Sequence, residues 1–214
     1  MNPAALSGVI AILRGIRPER VLTAAKLCYE HGIRAIEVPL NSPEPFASIE
    51  RLVRFRPSDC VVGAGTVLDL DELSRVAGIG VDFAVCPNVD TDVIAAGAAA
   101  GLQMLPGFAT ASEAFAAIRA GATLLKLFPA STYGPAHLKA LRAVLPASVR
   151  VVPVGGIAPA DCAAWLQAGA AGFGFGSELF RPDDDDEVLQ QRIAAVMHAY
   201  RAACQRLTHS PAGA

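Results

Sequence analysis

The sequence predicts an α/β protein, a single-domain (β/α)8 TIM barrel, and three observations carry that expectation. Short aliphatic or β-branched runs begin near Val9, Ala35, Val61, Phe83, Leu102, Leu124, Val151 and Gly172, at intervals of 26, 26, 22, 19, 22, 27 and 21 residues. Helical patterns fill the gaps between them. Several of the runs, GVIAIL, LLKLF and VVPV among them, are apolar throughout, as parallel strands covered on both faces must be. Strand alternating with helix implies right-handed βαβ units, and eight units favour a closed barrel over an open doubly wound sheet. At 214 residues the loops must be short.

The elements follow in order. The first strand stops at Arg14, and Pro18 then precedes a helical stripe of Val21, Leu22, Ala25 and Cys28. The second strand carries Glu37, and the third ends in Gly65-Thr66. Pro87-Asn88 follows the fourth. The uncharged stretch 93–112 is long enough to cross a membrane, but it contains Gly97, Gly101, Pro106 and Gly107, is rich in alanine, and breaks into helix, turn and strand. Lys126 lies within the sixth strand, and Pro135 opens a helix with Leu138, Leu141 and Leu145 on one face. The seventh strand ends at Gly155-Gly156 and the eighth at Gly176-Ser177. The run Asp183–Asp186 caps the last helix, whose stripe is Leu189, Ile193, Val196, Met197 and Tyr200. No linker or second domain is evident; residues 1–214 read as one domain with a short tail at about 207–214.

Composition removes several functions. With 53% hydrophobic and 18% charged residues, the chain has a core's worth of apolar material and cannot be a solvated disordered segment. The balance of 18 basic against 20 acidic residues leaves no basic excess for nucleic acid or a membrane surface. The first residues lack a basic stretch ahead of their apolar run, and the five scattered cysteines form no CxxC pair; both suit a reducing, cytoplasmic setting. The four histidines show no metal-ligand spacing, and no Walker A, GxGxxG or GxSxG motif occurs. No metal and no cofactor are expected.

In such a fold the chemistry gathers where strands end. Lys126, in Leu124–Pro129, is the sharpest signal: a lysine in a buried strand must pair or lose its proton, and a free amine attacks carbonyls to give a Schiff base. Glu37 is an acid in an equally apolar strand, suited to moving protons. The bland reading is one buried ion pair between the two. Gly155, Gly156, Gly176 and Ser177 suit a phosphate cradle, where glycine lets backbone N–H groups approach an anion. Arg14 could clamp a carboxylate or phosphate, or form a salt bridge; Thr66 could bind a carboxylate or merely cap a helix.

These segments resemble the bacterial class I aldolases that cleave 2-keto-3-deoxy-6-phospho sugar acids. The resemblance runs through IAILRGI (10–16), IEVPLNSP (36–43), VGAGTVL (62–68), CPN (86–88), LPGFATASEAF (105–115), LKLFPA (125–130), GPAHLKALRAVLP (134–146), VGGI (154–157) and GSELFR (176–181). Within the family, Asn41 stands where the phosphogluconate enzymes typically have arginine, and Val154 where they commonly have threonine. Both match the phosphogalactonate branch, so Val154 and Asn41 become candidates for epimer preference.

The resemblance implies that Lys126 forms an imine with 2-dehydro-3-deoxy-6-phosphogalactonate and that Glu37 shuttles protons. Arg14 and Thr66 would hold the carboxylate, and the four loop residues the phosphate. Pyruvate and D-glyceraldehyde 3-phosphate would be the products, in galactonate and galactose catabolism. It also implies a homotrimer. The competing readings are a phosphogluconate or dual-epimer aldolase, a phosphate-binding isomerase in which Lys126 only neutralises charge, and a non-catalytic sugar-phosphate binder.

Overall fold

The computed structural model describes residues 6–208. Its elements are β1 (Val9–Ile12), α1 (Val21–Glu30), β2 (Ala35–Pro39), α2 (Pro45–Phe55), β3 (Val61–Gly65), α3 (Leu70–Ile79), β4 (Phe83–Val85), α4 (Thr91–Ala99), β5 (Gln103–Leu105), β6 (Gly107–Phe108), α5 (Ala111–Arg119), β7 (Leu124–Leu127), α6 (Ala130–Arg142), β8 (Arg150–Pro153), α7 (Cys162–Gln167), β9 (Phe173–Phe175) and α8 (Asp186–Thr208). Strand and helix alternate, and every strand pairing in the two sheets is parallel. The α/β reading therefore holds.

The single eight-stranded ring expected from the sequence does not appear as one ladder. Six strands pair in the order β5-β4-β3-β2-β1-β9, and three in the order β6-β7-β8. The fifth predicted strand is split in two at Pro106, which has no N–H to offer a neighbour. Its carbonyl still accepts from Lys126 N–H at 2.9 Å, and an isolated bridge joins Val154 to Gly174 at the other junction.

Two apolar layers follow from the period of two along each strand. Ile10, Ile12, Ala35, Val61, Phe83, Val85, Leu105, Leu124, Val152 and Val154 form an inner cluster with Leu6. The alternate residues, such as Val9, Ala11, Ile36, Val38, Val62 and Leu125, pack outward beneath the helices. Each fully buried Val, Leu, Ile or Phe among them contributes about 1.5–3 kcal/mol. Glu37 falls in step with Ala35, and Lys126 with Leu124, so both project to the inner face near the C-terminal strand ends.

The helices carry the expected punctuation. Asp69 caps α3, Asp90 caps α4, and Thr110 with Glu113 forms a reciprocal capping box on α5. Asp185, within the acidic run, accepts from Val188 N–H at 2.9 Å at the start of α8. The uncharged stretch resolves into α4, a turn at Gly101 and β5. Helix α6 begins sooner than Pro135 predicts; it breaks at Gly134 (φ 74°, ψ 169°), and Pro135 opens the second piece. Leu207 and Thr208, read as the start of a tail, complete α8, and residues 209–214 lie outside the described residues. Among the described residues no helix is long and apolar enough to cross a membrane.

Candidate active site

Where β1, β2, β7, β8 and β9 end, a cavity of about 430 Å³ opens. Lys126 and Glu37 reach it from the inner face and are buried, at 6% and 3% exposure. Burial is the larger influence on each. It lowers the Lys126 pKa from the ordinary lysine value, partly countered by the Glu37 charge and assisted by Arg14. It raises that of Glu37, against the pull of Lys126 and Arg14. The bland ion-pair reading fails on geometry: among the described residues no salt bridge joins them. Lys126 Nζ instead sits 4.5 Å from the centre of the Phe128 ring, so the amine and the carboxyl face one space.

The neighbouring strand makes room for this arrangement. Glu37 pairs with Gly63 in register, and its carboxylate lies across Gly65; a Cβ at Gly65 would collide with Oε1. Cys86, also buried near Lys126, has a thiol pushed up to about 12, chiefly by burial, so it offers no thiolate to the site.

Arg14, on the loop after β1, lines the cavity but forms no salt bridge among the described residues. Its Nη1 donates to Asn41 Oδ1 at 2.6 Å, while Gly15 N–H donates to Ser42 Oγ at 2.9 Å. The loop after β2 thus holds the loop after β1. Asn41 itself does not line the cavity, so it touches the site through Arg14 rather than as a wall. Thr66 is also outside the lining. It adopts a left-handed backbone (φ 58°), a costly conformation for a β-branched residue, and the cap of α3 is Asp69, not Thr66.

Val154, Gly155, Gly156, Gly176 and Ser177 all line the cavity. Gly155 (φ 98°) and Gly156 (φ 69°) turn the chain sharply through conformations that L side chains avoid. After β9, Gly176 C=O accepts from Leu179 and Phe180 N–H at 2.9 and 2.8 Å, folding 176–180 into a tight turn. Ile12, Gly15, Phe128, Glu178, Phe180, Arg181 and Pro182 complete the lining; all but Pro182 fall within the family motifs, though none stands out there as a site residue. Phe128 carries a signal of its own, being in step with Leu124 and Lys126 along the strand. Among the described residues no group of three or more His, Cys, Asp or Glu side chains could hold a metal ion.

A barrel-like α/β fold with a buried lysine and acid at its strand ends is the arrangement that suits a Schiff-base lyase. The KDPG and KHG aldolase family model matches residues 3–196, and the chain belongs to that family. It is 43% identical over 197 residues, 92% of this chain and 96% of the relative, to the 2-dehydro-3-deoxy-6-phosphogalactonate aldolase of Escherichia coli strain K12. The KHG/KDPG aldolase of the same organism is more distant, 31% identical over 155 residues, covering 72% of this chain and 71% of its own.

Among solved structures, "Native KDPGal structure" superposes with a TM-score of 0.90 at 43% identity, covering 92% of this chain and 96% of that one. A KDPG aldolase from Legionella pneumophila, solved with pyruvate captured as a covalent carbinolamine intermediate, matches at a TM-score of 0.77 and 26% identity, covering 94% and 95%. The chain is thus an aldolase by family; the isomerase and non-catalytic readings are not favoured.

Proposed function

We propose that the chain cleaves 2-dehydro-3-deoxy-6-phospho-D-galactonate to pyruvate and D-glyceraldehyde 3-phosphate by way of a Schiff base on Lys126. The observation that carries this is the buried pair Lys126 and Glu37, both facing the cavity and not bonded to each other. Lys126 Nζ adds to the C2 carbonyl, and the carbinolamine loses water, with Glu37 supplying the proton, to leave an iminium. Glu37 carboxylate then takes the C4 hydroxyl proton as the C3–C4 bond breaks. The bonding pair passes into the iminium as an enamine, and the aldehyde departs. Reprotonation at C3 and addition of water to the iminium release pyruvate and restore the amine. No metal is called on at any step.

Arg14, which lines the cavity and is held by Asn41, would meet the carboxylate end, whereas Thr66 stands outside the lining. Gly155, Gly156, Gly176 and Ser177 would receive the phosphate. Val154, an apolar wall at 8% exposure beside Gly155, suits an epimer whose C4 substituent points away from a polar partner. Asn41 contributes to epimer preference indirectly, through Arg14. The greater likeness to the phosphogalactonate relative supports this branch.

The same reading takes 1–214 as one aldolase domain, supported by the family match over 3–196. It closes the two sheets into an eight-fold barrel, supported by the contacts at Pro106 and Val154. A cytoplasmic homotrimer completes it, with the exposed Phe55 (63%) and the groove it shares with Leu22, Tyr29 and Leu52 offering apolar surface. Neither nucleic acid nor membrane is a partner.

The test is pyruvate release from the two C4-epimeric phosphosugar acids at matched concentrations. Faster turnover of the galactonate epimer is expected. Equal or reversed rates would keep the lysine chemistry and reject the epimer assignment.

A further inference from the structure

We propose that Arg181 binds the phosphate end of the substrate and sets the preference for phosphorylated over unphosphorylated acids; this rests on the aldolase reading above. Arg181 follows directly on the turn 176–180 and lines the cavity. Its Nε donates to Ser177 C=O at 3.1 Å, which ties the guanidinium to the same turn that carries two residues of the phosphate cradle.

The chain beyond it is firmly held. Arg20 donates to Pro182 C=O at 3.0 Å and pairs with Asp186 at 3.0 Å, and Arg192 pairs with Asp184 at 2.7 Å. Arg20 and Arg192 are therefore committed to carboxylates. The two Nη groups of Arg181 have no acceptor among the described residues, although five-donor guanidinium groups suit phosphate well.

Charge at this end of the cavity also calls for a cation. Glu178 lines the same rim, with no hydrogen bond or ion pair among the described residues, and would repel a phosphate seated in the glycine turns. The other lining cations are spoken for: Arg14 is bonded to Asn41, and Lys126 serves as the nucleophile. Arg181 is the cation left to offset Glu178 and to meet the dianion.

The experiment compares Arg181→Met, Arg181→Lys and Glu178→Gln with the wild-type protein in three assays. These are KM and kcat for the phosphorylated sugar acid, inhibition by inorganic phosphate, and half-saturation by pyruvate in borohydride trapping. For Arg181→Met, KM and the phosphate inhibition constant should rise roughly fivefold or more, the scale of a charge-assisted contact at a solvent-accessible site. Half-saturation by pyruvate, which carries no phosphate, should not follow them. Arg181→Lys should restore part of the loss, and Glu178→Gln should tighten phosphate inhibition.

An Arg181→Met protein with unchanged KM and phosphate inhibition overturns the proposal and leaves the aldolase reading standing. So does a loss that falls equally on pyruvate. Wild-type protein that traps no pyruvate overturns both.

Discussion

Lys126 and Glu37 each give up solvation that a surface lysine or glutamate keeps, and each shifts toward its uncharged form. That shift has a direction which can be tested. Imine formation needs the neutral amine, so trapping of pyruvate should reach half its maximal rate at a pH below the 10.5 of an ordinary lysine. The Glu37 carboxylate holds the Lys126 pKa up by favouring the ammonium. In Glu37→Gln that support is gone, the Lys126 pKa falls further, and the midpoint should move to lower pH. A midpoint moving to higher pH would contradict the account, whatever the amplitude. Both residues were legible in the sequence because a charge inside an apolar strand is costly unless it serves something. Their separation was not, since an alternating pattern places a side chain on a face without saying how far it reaches.

Strands and loops determine what those residues meet. The period of two sends Glu37 inward with Ala35 and Lys126 inward with Leu124, and a bare Gly65 on the next strand leaves space for the carboxylate. Gly65→Ala should therefore fold and yet lose turnover, roughly tenfold or more in kcat, or about 1.4 kcal/mol. Trapping with pyruvate on Lys126 should persist in that variant, because the amine is untouched. A variant with wild-type kcat would show that Glu37 has freedom the packing denies it.

The strand starts were readable to within about a residue, since aliphatic runs in a parallel sheet leave little ambiguity. The break at Pro106 was visible as a proline but was read as a strand end rather than as an interruption within one. Loop meetings were beyond reach. Arg14 and Asn41 lie 27 residues apart and belong to different loops, so no local pattern announces their 2.6 Å bond. Thr66 was singled out for its place after a strand; its left-handed backbone is a property of the folded loop.

At the scale of the whole molecule, alternating strands and helices bring five strand ends around one cavity, and residues from positions 12 to 182 contribute to it. The chain needs its full βα series to do this, which agrees with a family match over 3–196. Only three lysines occur: Lys126 in the cavity, and Lys26 and Lys139 on helices. That scarcity makes the decisive measurement clean. The protein is incubated with pyruvate, reduced with borohydride and digested, and the modified lysine is located by mass spectrometry. One pyruvate-derived adduct is expected, on Lys126, absent from a folded Lys126→Met variant. An adduct on Lys26 or Lys139, or none at all, would contradict the Schiff base at Lys126.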